Sequence, residues 1–159
     1  MTFTLTSNDI TDGGVLPDAQ VKAKGDTSPH LKWSGAPEGT KSYAVTCFDP
    51  DAPTGSGFWH WTVANIPADV VELAAGASPD AMPPGAVEGR TDFGQAGYGG
   101  AAPPPGHGPH RYVFTVFAVD VDRLDVTPDS SGAIFGFNLH FHTLAKASIT
   151  ATYENTGQG

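Results

Sequence analysis

Ser42-Tyr43-Ala44-Val45-Thr46-Cys47-Phe48-Asp49-Pro50-Asp51-Ala52-Pro53 is the stretch around which the rest of the chain is arranged. Ser42 to Asp49 is rich in β-formers and nearly free of charge, the pattern of a strand buried within a sheet. Two carboxylates and two prolines then end it. Each proline fixes its own φ, removes an N–H donor and restricts the residue before it, so Asp49 and Asp51 are held in a stiff elbow. A solvated turn would use the same residue types, since Asp and Pro are common in turns. After a short polar loop comes Trp59-His60-Trp61, which places an imidazole at the start of the next strand.

That second strand, Trp59 to Ile66, alternates Trp59, Trp61, Val63 and Asn65 against His60, Thr62, Ala64 and Ile66. Both sets are largely apolar, so the strand is expected to be covered on both faces, with Trp61 in the core on the face opposite His60. The strongest strand is Arg111 to Val121, introduced by His110; the two-residue period puts His110 and Tyr112 on one face. Towards the N-terminus, residues 2–7 read as a half-buried strand, Val15 to Val21 as a short edge strand interrupted by Pro17, and Leu31 to Ser34 as another short strand. Ala86 to Phe93 reads as a further short strand containing Arg90. From Ser131 a helix is expected, capped by Ser130 or Ser131. Ile134, Phe137, Phe141 and Leu144 follow its 3-4-3 spacing, although Gly132 and Gly136 interrupt it. Ser148 to Tyr153 closes the chain as a final strand, and residues 154–159 form a polar, frayed tail.

With 159 residues the chain suits a single domain spanning 1–159, and its 20 glycines and 14 prolines punctuate recurring strand-like runs. The expected fold is mainly β: a single-domain antiparallel β-sandwich, Greek-key-like, with one or two short helices, one of them near the C-terminus. Seventeen acidic against eight basic residues give a net charge of −9 without a basic stripe, which argues against a nucleic-acid partner. No apolar run reaches the length of a transmembrane helix, and the N-terminus lacks the features of a signal peptide, so a cytoplasmic location is expected. The single Cys47 excludes an internal disulfide and reads as a buried thiol.

If the strands that begin near His60 and His110 lie side by side, His60, His110, Tyr112, Asp49 and Asp51 converge at one rim. Such a group suits anion recognition: imidazole and phenol donate to the anion, while a carboxylate behind each histidine fixes its tautomer and favours its charged form. Gly94 to Pro109, with six glycines and four prolines, would shape the cavity wall, Pro103 to Pro105 forming a rigid part of it. His107 in that loop reads as a solvated side chain or a rim ligand. Trp59 borders His60 and joins the candidate site, whereas the other tryptophans read as core. Two Asp and two His could ligate a metal, but no close-range ligand pair is present. His140 and His142 point to nearly opposite sides of the expected helix. Neither a Gly-x-Ser-x-Gly elbow nor a Walker loop occurs, and no metal, cofactor or catalytic residue is assigned.

Asp49-Pro-Asp-Ala-Pro53, then Trp59-His60, then Gly-Gly before the prolines, and Gly108-Pro-His110-Arg-Tyr112 together resemble the phosphatidylethanolamine-binding proteins, more narrowly the short bacterial members called Raf-kinase-inhibitor-like. The resemblance runs from about Phe3 to Tyr153. It implies a sandwich of two antiparallel sheets and an anion pocket made by Asp49, Asp51, Pro53, His60, Pro104, His110 and Tyr112. Two departures stand out: Ala102 replaces a glycine of some relatives, and the C-terminal helix that partly covers the pocket in animal members is not matched. The expected function is binding of a small anionic ligand (phosphate, a phosphorylated or phospholipid headgroup, or a carboxylate), with regulation of a kinase or another signalling enzyme as a role the family implies. The alternatives are a phosphoester or ester hydrolase using the same His and Asp residues, or an inhibitor of a protease or kinase acting through a separate surface. A protein partner and a homodimer are both compatible with this reading.

Overall fold

The computed structural model describes residues 2–157. Of the polar tail read as frayed, Gln158 and Gly159 lie outside the described residues. The buried stretch forms β3 (Ser42–Asp49), with β4 (Phe58–Pro67) on one side and β7 (His110–Val119) on the other. Outside these run β6 (Val87–Glu88) and β8 (Thr143–Tyr153), giving a five-stranded sheet in the order β6-β4-β3-β7-β8. A three-stranded sheet of β1 (Thr4–Thr6), β2 (Leu31–Ser34) and β5 (Glu72–Leu73) covers its inner face, and every strand pairing is antiparallel. Trp33, Tyr43, Trp61, Phe114 and Ile149 meet in the core between the sheets. One helix, α1 (Gly132–His142), lies on the outer face and closes a second cluster with Ala44, Ala64 and Val119. Ser131 caps it by accepting from the Ile134 N–H at 3.3 Å. No helix among the described residues is long and apolar enough to cross a membrane.

β7 pairs with β3 in one unbroken register, so its inward residues follow the two-residue period: Tyr112, Phe114, Val116 and Ala118 all join the inter-sheet core. β4 does not. Its register against β3 shifts twice, and at the first shift Phe48 pairs with Trp59 while Cys47 pairs with Trp61, leaving His60 as the extra residue of a β-bulge. The expected alternation is corrected accordingly. His60 turns towards the same inner face as Trp61, packing its ring 5.2 Å from Tyr112, while Trp59 faces outward. The second shift lies near Asn65, at a positive φ of 61°, and returns Ile66 to the inner core.

The helix starts where expected but ends at His142, so Leu144 lies in β8, and the apolar stripe that remains on the helix faces outward. Ile134, Phe137 and Phe141 are exposed, Phe137 by 65%, whereas Gly132, Phe135 and Leu139 are buried. Two glycines decide this rotation. A Cβ on Gly89 would stand 2.2 Å from the Phe135 ring, and one on Gly132 would stand 2.2 Å from the Trp59 ring. The sheet therefore offers a slot for Phe135, and the helix comes close enough to fill it.

Other boundaries also move. Val15 to Val21 is no strand: Val15 and Val21 make single bridges to Thr152 and Ala101 around a 3-10 turn at Asp18–Gln20, which follows Pro17. Arg90 lies beyond β6 and bridges to Ala96. β8 starts at Thr143, directly after the helix, rather than at Ser148.

Candidate functional site

The elbow after β3 is held by Asp49 itself. Its Oδ1 accepts the Asp51 N–H at 2.7 Å, and its Oδ2 lies 2.7 Å from His110 Nδ1. Both side chains are almost completely buried, an arrangement that a charge tolerates only when paired and hydrogen-bonded. The other His110 nitrogen, Nε2, lies 2.6 Å from His107 Nδ1, so Asp49, His110 and His107 form a hydrogen-bonded chain from the core to the surface. Gly106 and Gly108 flank His107 at φ of 75° and 88°, a backbone that glycine adopts without strain. The Gly106 N–H donates to the Asn155 carbonyl at 2.9 Å and ties the loop to the C-terminal segment.

His60 is supported differently. Its Nδ1 lies 2.8 Å from the Gly99 carbonyl, which can only accept, so Nδ1 carries the hydrogen. Burial pushes its pKa below the ordinary value, only partly opposed by that backbone bond and by Asp49. The expectation of a carboxylate behind each histidine is thus met at His110 and replaced by a carbonyl at His60. Tyr112 is 1% exposed, its hydroxyl has no hydrogen-bond partner among the described residues, and burial drives its pKa well above that of an ordinary phenol.

A cavity of about 180 Å³ lies among these groups, lined by Asp49, Pro53, His60, Pro104, His110 and Tyr112, together with Ala52, Thr54, Phe58, Phe93 and Ala102. Asp51 and Trp59 do not line it. The Asp51 carboxylate takes the Arg111 guanidinium at 2.9 Å on both oxygens, which holds its pKa at about 2, and it also accepts the Arg111 N–H at 2.8 Å. It braces the elbow from outside. Trp59 points to the opposite face of β4, its ring tilted 48° to that of Phe48 with the centroids 4.5 Å apart. There it borders a groove of about 480 Å³ between α1 and β8, whose only titratable lining groups are His140 and Lys146. The other polar lining groups of that groove are Thr46 and Thr143, and it contains none of the buried Asp, His and Tyr side chains that line the smaller cavity. Among the described residues no three His, Cys, Asp or Glu side chains are arranged to hold a metal ion. His142 pairs with Asp120 at 2.9 Å.

Phe58 and Phe93 were not singled out from the sequence, yet their rings lie 4.9 and 5.4 Å from that of His60. Phe58 follows from its place beside Trp59 at the strand start. Phe93, in an irregular segment, carries no such signal. For His107 the signal was its i, i+3 spacing from His110 in a glycine-flanked loop.

A model of the family described as phosphatidylethanolamine-binding protein matches residues 6–154. The chain belongs to this family. Within it, the UPF0098 protein YbhB of Escherichia coli is 56% identical over 156 residues, covering 94% of this chain and 98% of its own. The crystal structure of YbcL from Escherichia coli, at 51% identity, superposes with a TM-score of 0.94 over 96% of this chain and 98% of that one. A phosphatidylethanolamine-binding-protein homologue from Chlamydia trachomatis, at 30% identity, superposes with a TM-score of 0.83 over 96% of this chain and 97% of that one. The mainly β architecture of two antiparallel sheets with one helix near the C-terminus is therefore that of the phosphatidylethanolamine-binding proteins.

Proposed function

We propose that this protein binds a small oxyanionic ligand, a phosphorylated headgroup or a carboxylate, in the cavity between β3, β4 and β7. The observation that carries this reading is the Tyr112 hydroxyl: it is buried, unpartnered and belongs to a residue that lines the cavity beside two buried imidazoles. Folded proteins leave few buried polar groups unpaired, and a ligand is a physical reason for such an exception. Membership of a family named for binding a phospholipid supports the same reading. Hydrolysis is disfavoured because no side-chain nucleophile is placed at the cavity among the described residues. The Thr54 hydroxyl donates to the Gly57 carbonyl, and Cys47 is a core residue whose thiol pKa is pushed up by burial. The net charge of −9 opposes general attraction to anionic surfaces and favours local recognition of a small molecule.

Calorimetric titration with methyl phosphate tests the reading. Wild type is expected to bind, and Tyr112→Phe to bind about 5–10-fold more weakly, the worth of one hydrogen bond. The same variant should be as stable as wild type or more so, because it removes an unpaired buried hydroxyl. Equal affinity in both proteins would remove Tyr112 from the site and, with it, the basis of the proposal.

A further inference from the structure

We propose that the groove between α1 and β8, on the outer face of the large sheet, is a second ligand site. Its occupant is a small amphipathic monocarboxylate, whose apolar body lies along the sheet and whose head meets Lys146 and His140. This site is independent of the inner cavity and shares no lining residue with it.

The sheet and the helix leave the space open between them. Ala44 belongs to the cluster under α1, and its register partner Phe117 and the next partner, Lys146, share that outer face. Thr46, two residues on from Ala44, lies on the same face, beyond the cover of the helix. On the helix side the opening is at Gly136. A Cβ built there meets nothing within 4 Å, unlike those on Gly89 and Gly132, which would strike aromatic rings. Close packing does not demand a glycine at this position, and one inside a helix weakens it. What Gly136 leaves is a groove of about 480 Å³, walled by Trp59, Phe117, Leu139, Leu144 and Ala145. That volume falls within the range of small-molecule sites.

The polar groups say which end of a ligand goes where. Seventeen acidic residues face eight basic ones in the whole chain, yet this groove is lined by Lys146 and His140 and by no acidic side chain. Neither is ion-paired among the described residues. The floor carries a donor as well. Thr46 is 3% exposed, and its hydroxyl has no hydrogen-bond partner among the described residues. Its neighbours are committed: the Thr143 hydroxyl donates to the Leu139 carbonyl at 2.6 Å, and the Thr115 hydroxyl pairs with that of Ser148 at 2.7 Å. Buried hydroxyls are rarely left unpaired. A carboxylate supplies the acceptors that Thr46, Lys146 and His140 lack. The net charge of −9 repels a polyacidic partner, so a single negative charge on an apolar body fits better than an acidic protein or an anionic membrane.

The test is a ¹H–¹⁵N NMR titration with octanoate, butyrate and octyltrimethylammonium, with circular dichroism confirming the fold. Octanoate should shift the amides of Gly136, Leu139 and Lys146, and bind at least about tenfold more tightly than butyrate because it buries more methylenes. Octyltrimethylammonium should bind at least about threefold more weakly than octanoate, despite the acidic chain. Lys146→Met keeps the apolar stem and should weaken octanoate about two- to fivefold, the worth of one exposed ion pair. Gly136→Leu should fold at least as well as wild type, since leucine favours a helix and its Cβ meets nothing. Its side chain fills the groove, so octanoate should no longer bind. Octanoate binding unchanged in Gly136→Leu, or shifts centred on Phe93 and Tyr112 instead, would overturn the site. Equal affinity for octyltrimethylammonium would overturn the carboxylate assignment. Failure of octanoate to bind at all would overturn the proposal, and a wild-type dimer that Gly136→Leu dissociates would give the groove to a second copy of the chain.

Discussion

β4 and β7 flank the same strand, have the same length of 10 residues, and each delivers a histidine to one cavity, but by different means. β7 keeps one register along β3, and His110 reaches the cavity because strand residues alternate faces. β4 breaks register at His60, and the bulge is what turns that ring inward beside Trp61. The histidine on the regular strand is backed by a buried carboxylate, and the one on the bulge by a backbone carbonyl. Alternation is therefore a sound guide to a strand's faces only while its pairing is uninterrupted. A break in that pairing is itself a sign of a re-aimed side chain.

Three perturbations sharpen this contrast. The largest effect is expected from Trp61→Ala, since Trp61 is fully buried on the inner face directly after the bulge. It should cost about 3–5 kcal/mol in denaturant unfolding through lost burial and cavity formation. A cost below about 1 kcal/mol would mean that the bulged strand is not seated in the core. Next comes Gly132→Ala, which probes the outward side of the bulge by driving a methyl group into the Trp59 ring. Overpacking there should cost about 1–3 kcal/mol, and a neutral result would show that Trp59 is not clamped under α1.

The smallest effect is the acid dependence of stability contributed by His60. Its folded pKa is depressed by burial, so on acidification the unfolded chain takes up the proton first. Stability should therefore be unaffected by this group well above about pH 6.5 and decline below it, by at most about 1.4 kcal/mol per pH unit, until the folded-state pKa is passed. Urea midpoints measured across this range should fall less steeply in His60→Asn than in wild type. Parallel curves would show that the His60 ring titrates alike in the folded and unfolded chains.

Much of this was legible in the sequence, for local reasons. The run Ser42 to Asp49 and its two prolines marked β3 and the elbow that ends it. The period of β7 placed His110 and Tyr112 on one face, and Ser130-Ser131 announced the helix start. Asp51 and Trp59 were legible as neighbours of the site but not as residues outside its lining. Their exclusion depends on Arg111 capturing Asp51 and on Trp59 facing α1. His107 was legible as a solvated residue or a rim ligand, but its spacing from His110 does not by itself specify a bond to the buried imidazole.

The sequence by itself determined the three central strands of the large sheet, the elbow that ends β3, that a helix precedes the last strand, and which polar residues begin or end the strands that form the cavity. Those properties arise from backbone preferences and from side-chain periods within a few residues. Only the tertiary structure decided that His60 is the residue expelled from the β3–β4 register, that α1 turns Phe135 inward and Phe137 outward, and that the Asp49–His110 pair continues to His107. Each of these depends on matching volumes and hydrogen-bonding groups between segments far apart in the chain. The empty space over Gly89 selects the buried face of the helix, and the Gly99 carbonyl selects the tautomer of His60.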